Sequence, residues 1–141
     1  MTNTISIVTN DADRQACFDI RTTVFVEEQN VPPELELDEL EDVCVHFLAR
    51  VNDVPMGTAR LLDKGYAKVQ RVAVLKDARG TGIGRDLMLA ILDYAKANGF
   101  TESRLDAQTS AIAFYEKLGY AATGPEFDDA GIPHRLMIKQ L

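Results

Sequence analysis

Apolar positions along the chain change their period several times, and each change marks an element. Residues 5–9 alternate briefly and predict a first strand. Ala16, Cys17, Ile20, Val24 and Phe25 then fall three and four apart, which predicts a helix running to about Glu28, capped by Asp11 or Asp13 and stopped by Val31-Pro32-Pro33. Residues 43–52 and 55–63 read as a hairpin turning at Asn52-Asp53. In its first strand Val45, Phe47 and Ala49 share one face, leaving Cys44, His46 and Leu48 on the other. Lys64-Gly65 turns into a strand rich in β-branched residues at 69–75. A longer helical stripe follows, made of Ile83, Leu87, Ala90, Ile91, Tyr94 and Ala95 and closed by Asn98-Gly99. Beyond it the pattern predicts a strand at 103–108 and a short helix capped by Ser110 and ending at Gly119. A last strand pair, 120–123 and 135–139, is connected through 126–129 and 131–134. The expected architecture is α/β: one domain over residues 1–141, a mixed sheet with helices on both faces.

Composition narrows the class without naming a function. The 141 residues are 46% hydrophobic and 26% charged, ordinary values for a chain with a packed core. No apolar run reaches the length of a membrane span and the N-terminus has no basic flank before an apolar block, so a cytoplasmic protein without a membrane partner is expected. A net charge of −7 argues against nucleic acid as a partner. Cys17 and Cys44 lack metal-ligand spacing and are expected to be reduced core thiols; no metal is expected. The acids cluster: eight lie between Glu27 and Asp42, and no Lys or Arg occurs between Arg21 and Arg50. Two readings stand side by side here, a solvated loop and an attractor for a cationic amine.

The segment 79–85, Arg79-Gly80-Thr81-Gly82-Ile83-Gly84-Arg85, sits between the β-branched strand and the long helix. The first turn of a helix has unpartnered N–H groups and partial positive charge. Glycines there let a bulky anion reach the bare amides, and Arg79 and Arg85 add full charges, so a phosphate or pyrophosphate ligand is indicated. The competing reading is a tight turn that packs helix on sheet. Spacing excludes the NTPase P-loop, because Gly84 is followed by Arg85-Asp86 rather than Lys-Ser/Thr. It also excludes the dinucleotide fingerprint, because no third glycine stands three residues after Gly82 or Gly84.

What remains, Arg-x-x-Gly-x-Gly at Arg79, Gly82 and Gly84 after a Val-Ala-Val strand, closely resembles the signature of the GNAT acetyltransferase superfamily. A second block, Ser110-Ala-Ile-Ala-Phe-Tyr-Glu-Lys-Leu-Gly-Tyr120, resembles the later segment of that family, where a helix carries a tyrosine beside the thioester. Val24-Phe25-Val26-Glu27-Glu28-Gln29 with Glu36-x-Asp38 resembles a subgroup of small bacterial members with unassigned substrates. The resemblance covers nearly the whole chain and implies a V-shaped splay between the strands at 69–75 and 103–108.

Acetyl-CoA is the implied co-substrate. Its pantetheine arm would lie in the splay against the backbone of Val72, Ala73 and Val74 by strand addition, with the pyrophosphate on Arg79, Gly80, Thr81, Gly82, Ile83, Gly84 and Arg85. An amine acceptor must lose its proton, the carbonyl oxygen needs a donor such as the Val72 N–H, and the leaving thiolate needs a proton. The resemblance assigns that proton to Tyr115; the alternative is a tyrosine packed on the sheet with its hydroxyl at the surface. Many family members carry a glutamate base on the central strand, where this chain has Gln70 and Arg71. Glu28, His46, Asp106 and His134 are the remaining bases, His134 the best of them by its titration range and its place near the implied cleft; a structural histidine and a water-relayed proton are the competing readings. Glu28 and Gln70 are the expected substrate contacts. The expected activity is N-acetyl transfer from acetyl-CoA to a small-molecule or peptide primary amine, with a non-catalytic acetyl-CoA or CoA sensor and an interaction module as rivals, and a homodimer compatible with the family.

Overall fold

A computed structural model describes residues 2–141. Seven strands form one sheet: β1 (Asn3–Ile7), β2 (Val45–Val51), β3 (Val54–Asp63), β4 (Ala67–Val74), β5 (Glu102–Gln108), β6 (Ala121–Asp129) and β7 (Ile132–Gln140), in the order β1-β2-β3-β4-β5-β7-β6. Every neighbouring pair is antiparallel except β4 with β5, which run parallel. Helix α1 (Asp11–Arg21) covers one face; α3 (Ile83–Ala97) and α4 (Ile112–Glu116) cover the other, and a short α2 (Pro33–Glu36) lies in the acidic segment.

The alternation in β2 sorts the two cores. Phe47 and Ala49 pack with Leu61, Val69, Ile83, Leu87, Met88 and Ile91 under α3, while Leu48 packs with Cys17, Ile20, Val24 and Ala73 under α1. The hairpin turn at Asn52-Asp53 has both residues left-handed, with φ of 49° and 69°, the geometry that matches strand twist in a two-residue loop.

Four local expectations are corrected. Asn10, rather than Asp11 or Asp13, caps α1, its side-chain oxygen accepting the Asp13 N–H at 2.8 Å. The helix continues to Glu28, but over Thr22–Glu28 it widens to π geometry. Ser110 caps nothing: Thr109–Ala111 forms a 3₁₀ turn, and α4 begins after Ala111 without a side-chain cap. The connections expected at 126–129 and 131–134 are strand instead, because Ala130 and Gly131 take positive φ (52° and 80°) and close a tight β6–β7 hairpin.

The largest departure is the acidic segment. Glu36 and Glu41 are buried, and they surround Arg21 and Arg60, each only 1% exposed. Arg21 donates to Glu36 Oε1 at 2.9 Å and to Glu41 Oε2 at 2.7 Å. Arg60 donates to Asp38 through both terminal guanidinium nitrogens, at 2.9 and 2.8 Å, and approaches Glu41 at 2.8 Å. Within a run that reads as a solvated loop, Glu36, Asp38 and Glu41 form an ion-pair network with buried arginines, since charges leave water only when partnered this completely, while Glu27, Glu34, Glu39 and Asp42 stay exposed. Hydrogen bonds from Arg60 bring the Asp38 carboxyl down to about 2. Burial pushes Glu41 up, but the hydrogen bonds and charges of Arg21 and Arg60 outweigh it and hold Glu41 also at about 2.

Both folded-state values lie below those of the unfolded chain. The stability they contribute is therefore complete above about pH 5 and is lost as pH falls toward 2. Thermal unfolding is expected to show a midpoint lower by roughly 5–10 °C at pH 3 than at pH 7, with the smaller part of that difference absent when Asp38 is replaced by Asn and the larger part absent when Glu41 is replaced by Gln.

Candidate active site

Strands β4 and β5 are paired only at Ala67–Ser103 and Lys68–Arg104. Past those two pairs they diverge. The apex is pinned by a buried relay: Ser103 Oγ donates to the Ala67 carbonyl at 3.0 Å, so the hydroxyl of Tyr120, 2.8 Å away, must donate to Ser103. Burial raises the Tyr120 hydroxyl to about 12, which keeps that donor protonated.

Two cavities open along the divergence. The first, of about 540 Å³, is lined by Val72, Ala73 and Val74 of β4, by Phe114 and Tyr115 of α4, and by Arg79, Gly80, Gly82, Ile83, Gly84 and Arg85. The second, of about 240 Å³, is lined by Phe25, Leu35, Glu36, Lys68, Gln70, Arg71, Asp106, Ile132 and His134 among others. Gln29, Val72, Ala111 and Tyr115 border both.

The glycine segment has the form of an anion cradle. Gly80 and Gly82 have φ of 78° and 87°, and a Cβ at either would meet nothing within 4 Å, so the backbone is bare toward the larger cavity. No side chain caps α3. Arg79 donates from Nε to the Val74 carbonyl at 2.9 Å and from Nη2 to Glu28 at 2.6 Å. Among the described residues Arg85 makes no ion pair. Thr81 stands apart from this lining, its hydroxyl turned back onto the Ala78 carbonyl.

Tyr115 is 7% exposed, wedged edge-on between Phe114 and Tyr120 with ring centroids 5.0 and 5.9 Å away. Burial pushes its hydroxyl well above the ordinary tyrosine value, so it holds its proton throughout the neutral range. His134 is buried against Phe127 in a stacked arrangement, centroids 5.9 Å apart. Its Nδ1 lies 2.7 Å from the Ile132 carbonyl oxygen. A carbonyl only accepts, so Nδ1 carries the proton and the neutral ring has its lone pair on Nε2.

The other sequence-derived candidates divide between the smaller cavity and positions outside it. Glu28 faces Arg79 and stands outside the lining of both cavities. His46 is buried beside Phe18, its Nε2 2.8 Å from the Glu41 carbonyl, and burial lowers its pKa. Gln70 does line the smaller cavity, with its carbonyl oxygen accepting from Arg60 Nε at 3.1 Å. Asp106 does too, 3.6 Å from Lys68.

Some lining groups were not singled out by sequence reasoning. Gln29 and Gln108 join the end of the π turn to the end of β5, the Gln108 amide donating to Gln29 at 2.8 Å. Phe114 meets the space beside Gly84, where a Cβ would lie 3.5 Å from its ring. Only the Phe-Tyr block and the Glu-Glu-Gln stretch hinted at them; their pairing across the cleft has no local signal.

Residues 8–141 match the acetyltransferase (GNAT) domain. The uncharacterized N-acetyltransferase YjcF of Bacillus subtilis is 42% identical over 135 residues, which cover 94% of this chain and 96% of that protein. A crystal structure from Lactobacillus plantarum superposes with a TM-score of 0.92 at 32% identity, over 100% of this chain and 99% of that one. A GNAT family acetyltransferase from Elizabethkingia anophelis, solved with acetyl-CoA bound, shares the fold at a TM-score of 0.75 and 18% identity, over 99% of this chain and 98% of that one. The splayed strands, the glycine cradle and these likenesses agree: the chain belongs to the GNAT family of acetyltransferases, and it is an acyltransferase enzyme.

Proposed function

We propose that residues 1–141 work as one N-acetyltransferase domain that takes acetyl-CoA as donor and a primary amine as acceptor, by direct attack. The observation that carries this reading is the meeting of two cavities at Val72 and Tyr115. The larger fits the donor: an uncapped helix start, bare glycine backbone and an Arg85 with no ion pair among the described residues suit a pyrophosphate, and the β4 edge freed by the splay suits an amide-bearing arm. When bound, acetyl-CoA supplies the acetyl group as a reactive thioester.

The chain's own residues then divide the work. Gly80, Gly82, Ile83, Gly84 and Arg85 bind phosphate through backbone N–H groups and charge, with Arg79 fixing the loop to Val74 and Glu28. Thr81 braces the turn. Val72, Ala73 and Val74 offer backbone groups to the arm, and the Val72 N–H donates to the carbonyl oxygen. Tyr115 is the general acid, holding a proton for the departing sulfur. His134 accepts the amine's proton at Nε2, directly or through water, and Gln70 presents its amide to the acceptor.

Acetyl-CoA at about 100 times its dissociation constant should raise the unfolding midpoint by several degrees. Gly82→Val, forced into positive φ and projecting into the cradle, should lose at least about tenfold in acetyl-CoA affinity; retained affinity would remove the cradle from the reading. Tyr115→Phe should keep that thermal shift while thiol release in the presence of amine falls on the order of 100-fold. An unchanged rate would exclude Tyr115 as the acid. For His134, ¹⁵N chemical shifts of the neutral ring should report Nδ1–H; an Nε2–H tautomer would remove it as the base.

A further inference from the structure

Among the described residues Arg71 is the only non-glycine residue inside a strand with a left-handed backbone: the others of positive φ, Asn30, Asn52, Asp53 and Ala130, sit in turns or loops. Its φ is 55°, a conformation L side chains rarely adopt. The register explains where the deviation goes. Thr58 faces Ala73 and Arg60 faces Gln70, so Ala59 alone stands opposite both Arg71 and Val72, and β4 bulges there. The next residue, Val72, borders both cavities.

The acidic segment grips both residues before Val72. Arg71 Nε lies 3.0 Å from the Glu36 carboxylate and 3.2 Å from the Glu36 carbonyl, and Nη2 lies 3.4 Å from Asp38. Glu36 is itself fixed by Arg21, and Asp38 by the paired nitrogens of Arg60. Arg60 also holds Gln70. A planar guanidinium reaches a carbonyl and two carboxylates from separate nitrogens held in a fixed fork, a geometry the single nitrogen of an ammonium does not reproduce.

We propose that Arg71 is a positioning residue for acyl transfer: locked by Glu36 and Asp38, it holds the β4 bulge that sets the Val72 backbone where the two cavities meet. Within the acidic segment Glu36, Asp38 and Glu41 serve this lock, their charges met by Arg21, Arg60 and Arg71. This inference rests on the acetyl-transfer reading above.

The test compares Arg71→Ala, Arg71→Lys and Arg71→Gly, each checked for folding by thermal unfolding. Thiol release from acetyl-CoA is followed with a panel of primary alkylamines, and the backbone amides of Val72, Gly82 and Gly84 are followed by NMR on adding acetyl-CoA. Arg71→Ala and Arg71→Lys should lower kcat on the order of 100-fold with KM for acetyl-CoA within about twofold. Their Val72 amide should shift and lose its response to acetyl-CoA, while Gly82 and Gly84 still respond. Arg71→Gly, which adopts positive φ without strain, should recover a large part of kcat and of the Val72 response. Equal kcat and equal responses in wild type and Arg71→Ala overturn the lock, as does Arg71→Gly as impaired as Arg71→Ala. Should Arg71→Ala fail to fold, Asp38→Asn takes its place, and an unmoved Val72 amide there overturns the lock. A wild-type protein whose three amides ignore acetyl-CoA counts instead against the acetyl-transfer reading.

Discussion

Two residue pairs join β4 to β5, and the site exists because there are no more. A parallel pair that continued would seal the sheet and bury the β4 backbone in a ladder. Its interruption leaves main-chain groups in mid-sheet that must find partners elsewhere, since unpaired buried amides are costly. The cleft is thus a built-in demand for hydrogen bonds, placed between the helices that close it. The Tyr120–Ser103–Ala67 relay fixes where divergence begins, and Tyr120 in turn packs against Tyr115, so the apex of the splay and the proposed acid are set by one aromatic cluster.

The second constraint is electrostatic. Three arginines and three acids are packed into one network under α1 and beside the smaller cavity, with Arg21 and Arg60 almost without solvent contact. Such a cluster adds little net stability over an apolar core, but each member becomes hard to remove once the others are in place. What it adds is definition. The segment around α2 has few apolar anchors, with Leu35 and Leu37 exposed, so the ion pairs fix its path along the cavity wall. That wall then bears directly on Arg71 and the bulge.

His134 illustrates how a fold assigns chemistry to a residue type. A histidine two residues after Ile132 in an ordinary loop has no defined tautomer. In β7, with Nδ1 turned to the Ile132 carbonyl and the ring stacked on Phe127, only Nε2 is left for proton transfer.

Local pattern determined much of this protein. Helix and strand periods, the Asn52-Asp53 turn, the two faces of β2 and the glycine cradle at 80–84 are all short-range consequences of side-chain period, turn chemistry and helix-end geometry, and the Arg-x-x-Gly-x-Gly and Phe-Tyr blocks pointed to the family. Tertiary structure alone decided the rest. Glu36 and Glu41 look like solvated acids until Arg21 and Arg60, 15 residues before Glu36 and 19 after Glu41, fold over them. Glu28 became the partner of Arg79, 51 residues away. The bulge at Arg71 appears only when β3 fixes the register on one side and the acidic segment grips from the other. Charge pairing and strand register depend on which distant residues meet, and no local period carries that information.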